Sequence, residues 1–525
     1  MDGHRPALSR RLRAALAAPA LVFLALLLAW PLAAIGERSL EDGVPGDVFR
    51  SRHTGSVLWF TLWQAAASTA LAVLAALPLT WALARFSFRG RALAEGLALV
   101  PFVLPTVVVA TAFLALLPDA AYGSLWAILL AHVFFNVAVV VRVVGASWAS
   151  ADGRLWEAAA SLGASPRVRA RTVTLPLLRP ALAAAAAIVF LFCFTSFGVI
   201  LVLGGPARAT LETEVYAQAV RFFDLRTAAV LALLQLLVVA AVVTVAGALE
   251  RRAAGPRRTR GVAPRPEGPQ RLVVGGVVAI SLALLALPLV AVVRRALAVG
   301  DGIGLDHFAA LSRETPALLV APWEAVLNSL VYATVATAIA LAVGAPAAVA
   351  IARGGGALGV LVMLPLGASA AMLGFGFLLA FDEPPFDLRG TRAIVPLAQA
   401  LVALPFVVRA LVPALRALDP RLHDAAATLG ASPHVVRRTV DLPLLGRPLA
   451  AAAGLAFAVS LGEFGATVFL ARADAPTLPV AVFRFLGRPG ADNVGTAAAL
   501  CVVLTGLVVA VSLLVDRAFV REAAR

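Results

Sequence analysis

Apolar runs constrain this chain more than any other feature. Stretches of about 20 apolar residues, enough for a helix to cross the hydrocarbon core of a bilayer, recur from one end to the other. A segment in lipid has no water to satisfy its backbone groups, so each run must be helical. The runs predict spans near 16–36, 57–84, 93–117, 125–148, 181–204, 228–249, 273–299, 325–351, 357–381, 393–417, 449–471 and 496–516. The expected fold is therefore all-α, with about twelve transmembrane helices in two parallel six-helix repeats. The composition agrees: 61% of residues are hydrophobic and 14% charged, against about half and about a quarter in soluble domains.

The formal charge is +15, and all 44 basic residues are Arg. A phosphate-binding loop of the GxxxxGK[ST] type requires a Lys on the nucleotide phosphates, so this chain cannot hydrolyse ATP through one. The Arg residues sit in short connections between apolar runs, where they set membrane orientation rather than meet nucleic acid. Placing both termini in the cytoplasm puts the Arg excess inside. The basic, Pro-rich stretch 251–271 reads as a cytoplasmic linker between a first repeat, 1–250, and a second, 272–525. The stretch after Arg10, Arg11 and Arg13 resembles a secretory signal but runs on past Trp30, and reads as a retained first helix. Cys193 and Cys501 lie inside apolar runs, so they form no disulfide framework or metal-ligand pattern.

The two halves repeat each other. Over 157–178 against 424–445, 16 of 22 positions are identical, including Gly163 with Gly430 and Leu175-Pro176 with Leu442-Pro443. The same offset of 267 carries Arg142 onto Arg409, Phe197-Gly198 onto Phe464-Gly465 and Thr210-Leu211 onto Thr477-Leu478. Six spans per half give the halves the same orientation, related by an axis along the membrane normal. The best-preserved stretch is a loop, and duplicated loops ordinarily drift. Two loops that stayed alike point to two similar sockets for one repeated partner. Their chemistry reads as a short helix, a left-handed cap at Gly163 or Gly430, and a second short helix entered through Ser165-Pro166.

At these residues the chain resembles the permeases of binding-protein-dependent, ATP-driven importers, whose hallmark is a cytoplasmic Glu-Ala-Ala motif followed after three residues by Gly. Glu157-Ala158-Ala159 with Gly163 matches, as does Asp424-Ala425-Ala426 with Gly430, with Asp in place of Glu. The resemblance implies loops that seat in a homodimeric ATP-binding subunit, which uses the ATP, so that no cofactor is expected on this chain. It also implies a periplasmic or lipid-anchored solute-binding protein and a place in the bacterial inner membrane. Softer matches are similar to the thiamine and ferric-iron branch, thiamine first: His132-Val-Phe-Phe-Asn136, Phe192-Cys-Phe-Thr-Ser-Phe197, Leu203-Gly-Gly-Pro206 and Ser460-Leu-Gly-Glu-Phe-Gly465. The implied cargo is thiamine or a thiamine phosphate, with ferric iron the alternative.

Glu463, expected inside the eleventh span, is costly in lipid unless it faces a cavity or a partner. It either attracts a cationic substrate or is held by an Arg or by helix backbone, the commoner fate. With its repeat partner Ser196 and the adjoining Phe197 and Phe464, it marks a possible translocation path. His132, Asn136 and Gln399 read as interhelical hydrogen-bonding groups. Neither a catalytic constellation nor a metal box is recognisable. An ion-gradient-driven secondary transporter would share twelve helices in two halves. However, the connection Ala84-Arg85-Phe-Ser-Phe-Arg-Gly-Arg91 lacks the Asp of that class's signature, and such a protein has no need of two acid-Ala-Ala loops.

Overall fold

The structure is a computed structural model that describes residues 10–41, 43, 46–150, 153–205, 207–253, 264–382 and 387–523. It is an all-α membrane protein. The strands among the described residues form one small hairpin, Ala298–Val299 with Gly302–Ile303. Among the described residues ten helices are long and apolar enough to span a membrane, and two bent pairs bring the number to as many as twelve. Of the expected linker, residues 254–263 lie outside the described residues.

Two expected spans are not straight. Arg91–Val103 and Thr106–Leu116 meet at 100°, and Gly356–Gly367 and Ala370–Ala380 at 94°. In the first, Pro105 forces Leu104 out of the helical region, to φ −71° and ψ 138°. In the second, the Ser369 side chain accepts from Met372 N–H and caps a new helix. Hydrophobicity alone cannot register either bend, because both limbs are apolar.

Two further spans are displaced. The fifth runs Pro166–Phe194 rather than 181–204, and the eleventh His434–Gly462 rather than 449–471. The second helix of each conserved loop is therefore the start of a long span and not a separate short helix. The Leu-Pro pairs explain how. Proline removes a backbone donor and crowds the preceding turn, and in both halves the turn just before it is a π-helix, Ala170–Thr174 and Arg437–Asp441. Leu175 N–H bonds to Ala170 O, one residue beyond the α pattern, so the helix passes the proline by widening instead of breaking.

The chain forms two compact units. One holds 45–217 and 231–304, and the other 218–230, 305–525 and the N-terminal segment. The first span of each sequence half thus packs in the unit built mainly from the opposite half. The span Arg11–Leu40 lies with the helices Pro322–Ala352 and Ala370–Ala380, and Pro269–Leu297 lies with Thr106–Leu116. Sequence halves and packing units cut the chain differently for this reason. Alanine makes the packing close. Ala336, Ala340, Ala400, Ala403, Ala452 and Ala456 form the centre of one bundle, where small residues let backbones approach without help from a hydrophobic effect between helices. Gly344 brings two of these helices close together, since a Cβ there would lie 2.8 Å from Val407 Cγ1.

Candidate coupling loops and buried polar clusters

The two conserved loops have the same backbone. In the first, the helix Gly153–Ser161 ends with Gly163 at φ +80°, Gly163 N–H bonding Ala160 O and Ala164 N–H bonding Ala159 O. In the second, Pro420–Thr428 ends with Gly430 at φ +75°, with the matching bonds from Gly430 to Ala427 and from Ala431 to Ala426. Each is a helix terminus that needs a left-handed residue, and glycine supplies it without strain. Ser165 then accepts from Val168 N–H and starts the long span. Glu157, Ala158, Asp424 and Ala425 are exposed, while Ala159 and Ala426 are half-buried. Just before each glycine stands an almost fully exposed leucine, Leu162 at 88% and Leu429 at 87%.

Beneath that shared backbone the loops are held differently. Trp156 takes the guanidinium of Arg169 over its ring at 3.8 Å and that of Arg85 at 5.3 Å, a cation–π arrangement. The repeat partner of Trp156 is His423, whose Nε2 lies 2.8 Å from Asp441 Oδ1. Neither residue stands out in the acid-Ala-Ala motif. The available signal was a ring-bearing residue immediately before the acid in both copies.

The residues proposed for a path lie at the breaks that end the fifth and eleventh spans. Glu463 is not inside a helix: it caps Leu442–Gly462 at φ −67° and ψ 124°. Its Oε1 accepts from Ala466 N–H at 2.7 Å and its Oε2 from Thr467 N–H at 3.0 Å. The carboxylate thus holds the first turn of the next helix, Thr467–Leu470, which is the backbone-bound alternative. Gly374 and Gly465 bring the bent helix Ala370–Ala380 against this break, since a Cβ on Gly374 would fall 2.6 Å from Ala466 Cα. At the equivalent break, Ser196 Oγ lies 2.8 Å from His132 Nε2, and His132 Nδ1 lies 2.9 Å from Ser68 Oγ. Asn136 donates to His132 O and to Cys193 Sγ, and Gln64 donates to Cys193 O. These bonds link three apolar helices, as expected for His132 and Asn136, but Gln64 Oε1, Asn136 Oδ1 and Gln399 Oε1 are buried with no hydrogen-bond partner among the described residues. Phe197 and Phe464 are buried and each meets its own ring partner, Tyr216 at 5.6 Å and Phe483 at 5.5 Å.

Sequence reasoning missed two buried carboxylates. Glu212 accepts from Gln235 Nε2 at 2.6 Å, and Glu214 lies 3.1 Å from His53 Nε2. They sit on the short helix Leu211–Tyr216, anchored where Leu211 N–H donates to Thr61 Oγ1. Its repeat copy, Leu478–Leu486, is anchored by Leu478 N–H on Ser329 Oγ, but carries Pro479 and Ala481 at the two acidic positions. The expected connection between the fifth and sixth spans hid them. Two acids absent from the second copy were the signal to read. Among the described residues no three His, Cys, Asp or Glu side chains gather as a metal site.

Comparison with known proteins agrees with this architecture. Residues 69–255 match the family of binding-protein-dependent transport system inner membrane components. The chain is 32% identical over 539 residues to the thiamine transport system permease protein ThiP of Brucella abortus, covering 95% of this chain and 94% of that one. It is 29% identical to the ThiP of Salmonella typhimurium over 85% of this chain and 86% of the other, and 28% identical to that of Escherichia coli over 84% and 85%. With its many apolar spans and these relatives along nearly its whole length, the chain belongs to the family of binding-protein-dependent transport system inner membrane components, as a multi-pass membrane component of a transport system.

Proposed function

We propose that this chain is the permease subunit of an ATP-driven importer for thiamine or a thiamine phosphate, and that its two conserved loops seat on a homodimeric ATP-binding subunit. The observation that carries this reading is the duplicated loop: two copies of one capped turn, each presenting an exposed leucine, Leu162 and Leu429. Two like knobs suit two like clefts in a symmetric partner. In this reading both termini are cytoplasmic, a solute-binding protein delivers the cargo outside, and ATP closure of the partner moves the permease between inward- and outward-open states. The names of the relatives support thiamine as the cargo. The breaks around Ser196-Phe197 and Glu463-Phe464 are the places where unwound backbone can line a path.

Labelled thiamine uptake in cells tests the proposal, comparing the intact gene, a deletion and the double variant Gly163→Val/Gly430→Val. Nothing in this chain lies within 4 Å of a Cβ at either glycine, so within the permease the variant acts through backbone conformation, a β-branched residue being a true outlier at positive φ. Loss of uptake in both the deletion and the double variant is expected. Uptake retained by the double variant overturns the coupling role. A response of ferric iron alone, run in parallel, overturns the substrate while keeping the class.

A further inference from the structure

We infer that an apolar groove along the first helix holds one acyl chain of an anionic phospholipid, with the headgroup phosphate at Arg11. The groove is a cavity of about 600 Å³ between the helix Arg10–Leu24, its π-helical continuation and two later spans of the same packing unit. Ala15, Ala18, Val22 and Leu26 line one side, and Val343 and Leu397 the other. Ala15 and Ala18 are too short to close the gap.

Three observations select the occupant. The lining is almost wholly apolar, so a polar solute would find few hydrogen-bond partners, whereas a hydrocarbon tail needs none. The length fits: Ala15 to Leu26 spans about 17 Å at about 1.5 Å per residue, close to the roughly 15 Å of one leaflet's share of the hydrocarbon core. The charge fits as well. Arg11 precedes Ala15 by four residues and Ala18 by seven, so it stands on the same helix face at the groove's end. It is exposed and has no acidic partner among the described residues. Arg13 instead lies against the Gly354 turn, so that Arg11 rather than Arg13 stands at the mouth. Basic groups at the membrane surface end of a crevice between spans select anionic headgroups.

The test counts lipid on the full-length permease by native mass spectrometry. Detergent-purified, delipidated protein is titrated with phosphatidylglycerol or with phosphatidylcholine of the same acyl chains. The wild type is expected to retain one phosphatidylglycerol about fivefold more tightly than phosphatidylcholine, the share of one guanidinium near a membrane surface. Arg11→Gln should keep a bound lipid and lose the preference, and Ala18→Trp should fill the groove and lose both lipids. A preference unchanged in Arg11→Gln overturns the assignment. So does a lipid retained by a folded Ala18→Trp, or a wild type that binds a second copy of the chain in place of lipid. Arg11 is exposed and its variant does not depend on core packing, so it decides the matter even where Ala18→Trp fails to assemble.

Discussion

Truncating Leu162 and Leu429 to alanine should uncouple docking from folding. Both side chains are almost fully exposed, at 88% and 87%, so neither contributes appreciably to the permease's own core. Seated in a cleft of the ATP-binding partner, each would bury its side chain. Leu→Ala removes three carbons, worth about 0.8 kcal/mol each when buried, or about 2.4 kcal/mol per site. That is roughly fiftyfold in affinity for one loop, and up to the square of that for both if the sites act independently. The assay measures binding of purified ATP-binding subunit to detergent-solubilised permease, single and double variants against wild type, with thermal unfolding of the permease alone as control. Weaker docking at unchanged melting temperature is expected. Docking that stays within twofold for the double variant would refute the role of these leucines. A drop in melting temperature would show instead that they support the fold.

Glu463→Gln tests whether that carboxylate serves the helix or the cargo. Glutamine has one acceptor oxygen where two backbone N–H groups now bond, so a loss of about 1–3 kcal/mol in stability is expected, read as a lower unfolding temperature. Unchanged melting with abolished uptake would instead assign the group to substrate. His132→Ala should strand the Ser68 and Ser196 hydroxyls and lower the melting temperature. His132→Gln, which installs the residue found at the repeat-equivalent position 399, should recover most of the loss; equal damage from both would refute the hydrogen-bonding role. At the exposed loop after the eleventh span, the Arg472 guanidinium holds the Asp474 carboxyl below the ordinary carboxylate range. A depressed acid stabilises the folded loop above its unfolded pKa, and that contribution is lost as pH falls through the lower folded value. The protection factors of the loop amides, with exchange corrected for its intrinsic pH dependence, should therefore fall only on the acid side of the usual Asp range, and Asp474→Asn should remove that fall.

Composition and the apolar runs determined the fold class, because a chain in lipid has one local solution for its backbone and needs about twenty apolar residues to apply it. The duplicated loop was equally legible. Gly163 and Gly430 are confined to a left-handed cap by local backbone sterics, and both adopt it. The tertiary structure decided where apolar segments bend, how the Leu-Pro pairs are absorbed into π turns, and that each half's first span packs with the other half's helices. Hydropathy is the same on both sides of a bend and the same against any apolar neighbour, so none of this was readable from the pattern. The polar groups divide along the same line. His132 announces a buried hydrogen bond wherever it sits in lipid, but its partners, Ser68 and Ser196, lie 64 residues away in each direction. Glu463 read as a charge within a span, and its meaning changed once the helix ended at Gly462 and gave the carboxylate two free N–H groups to bind. Residue identity establishes which buried groups can hydrogen-bond; only the folded chain determines with what.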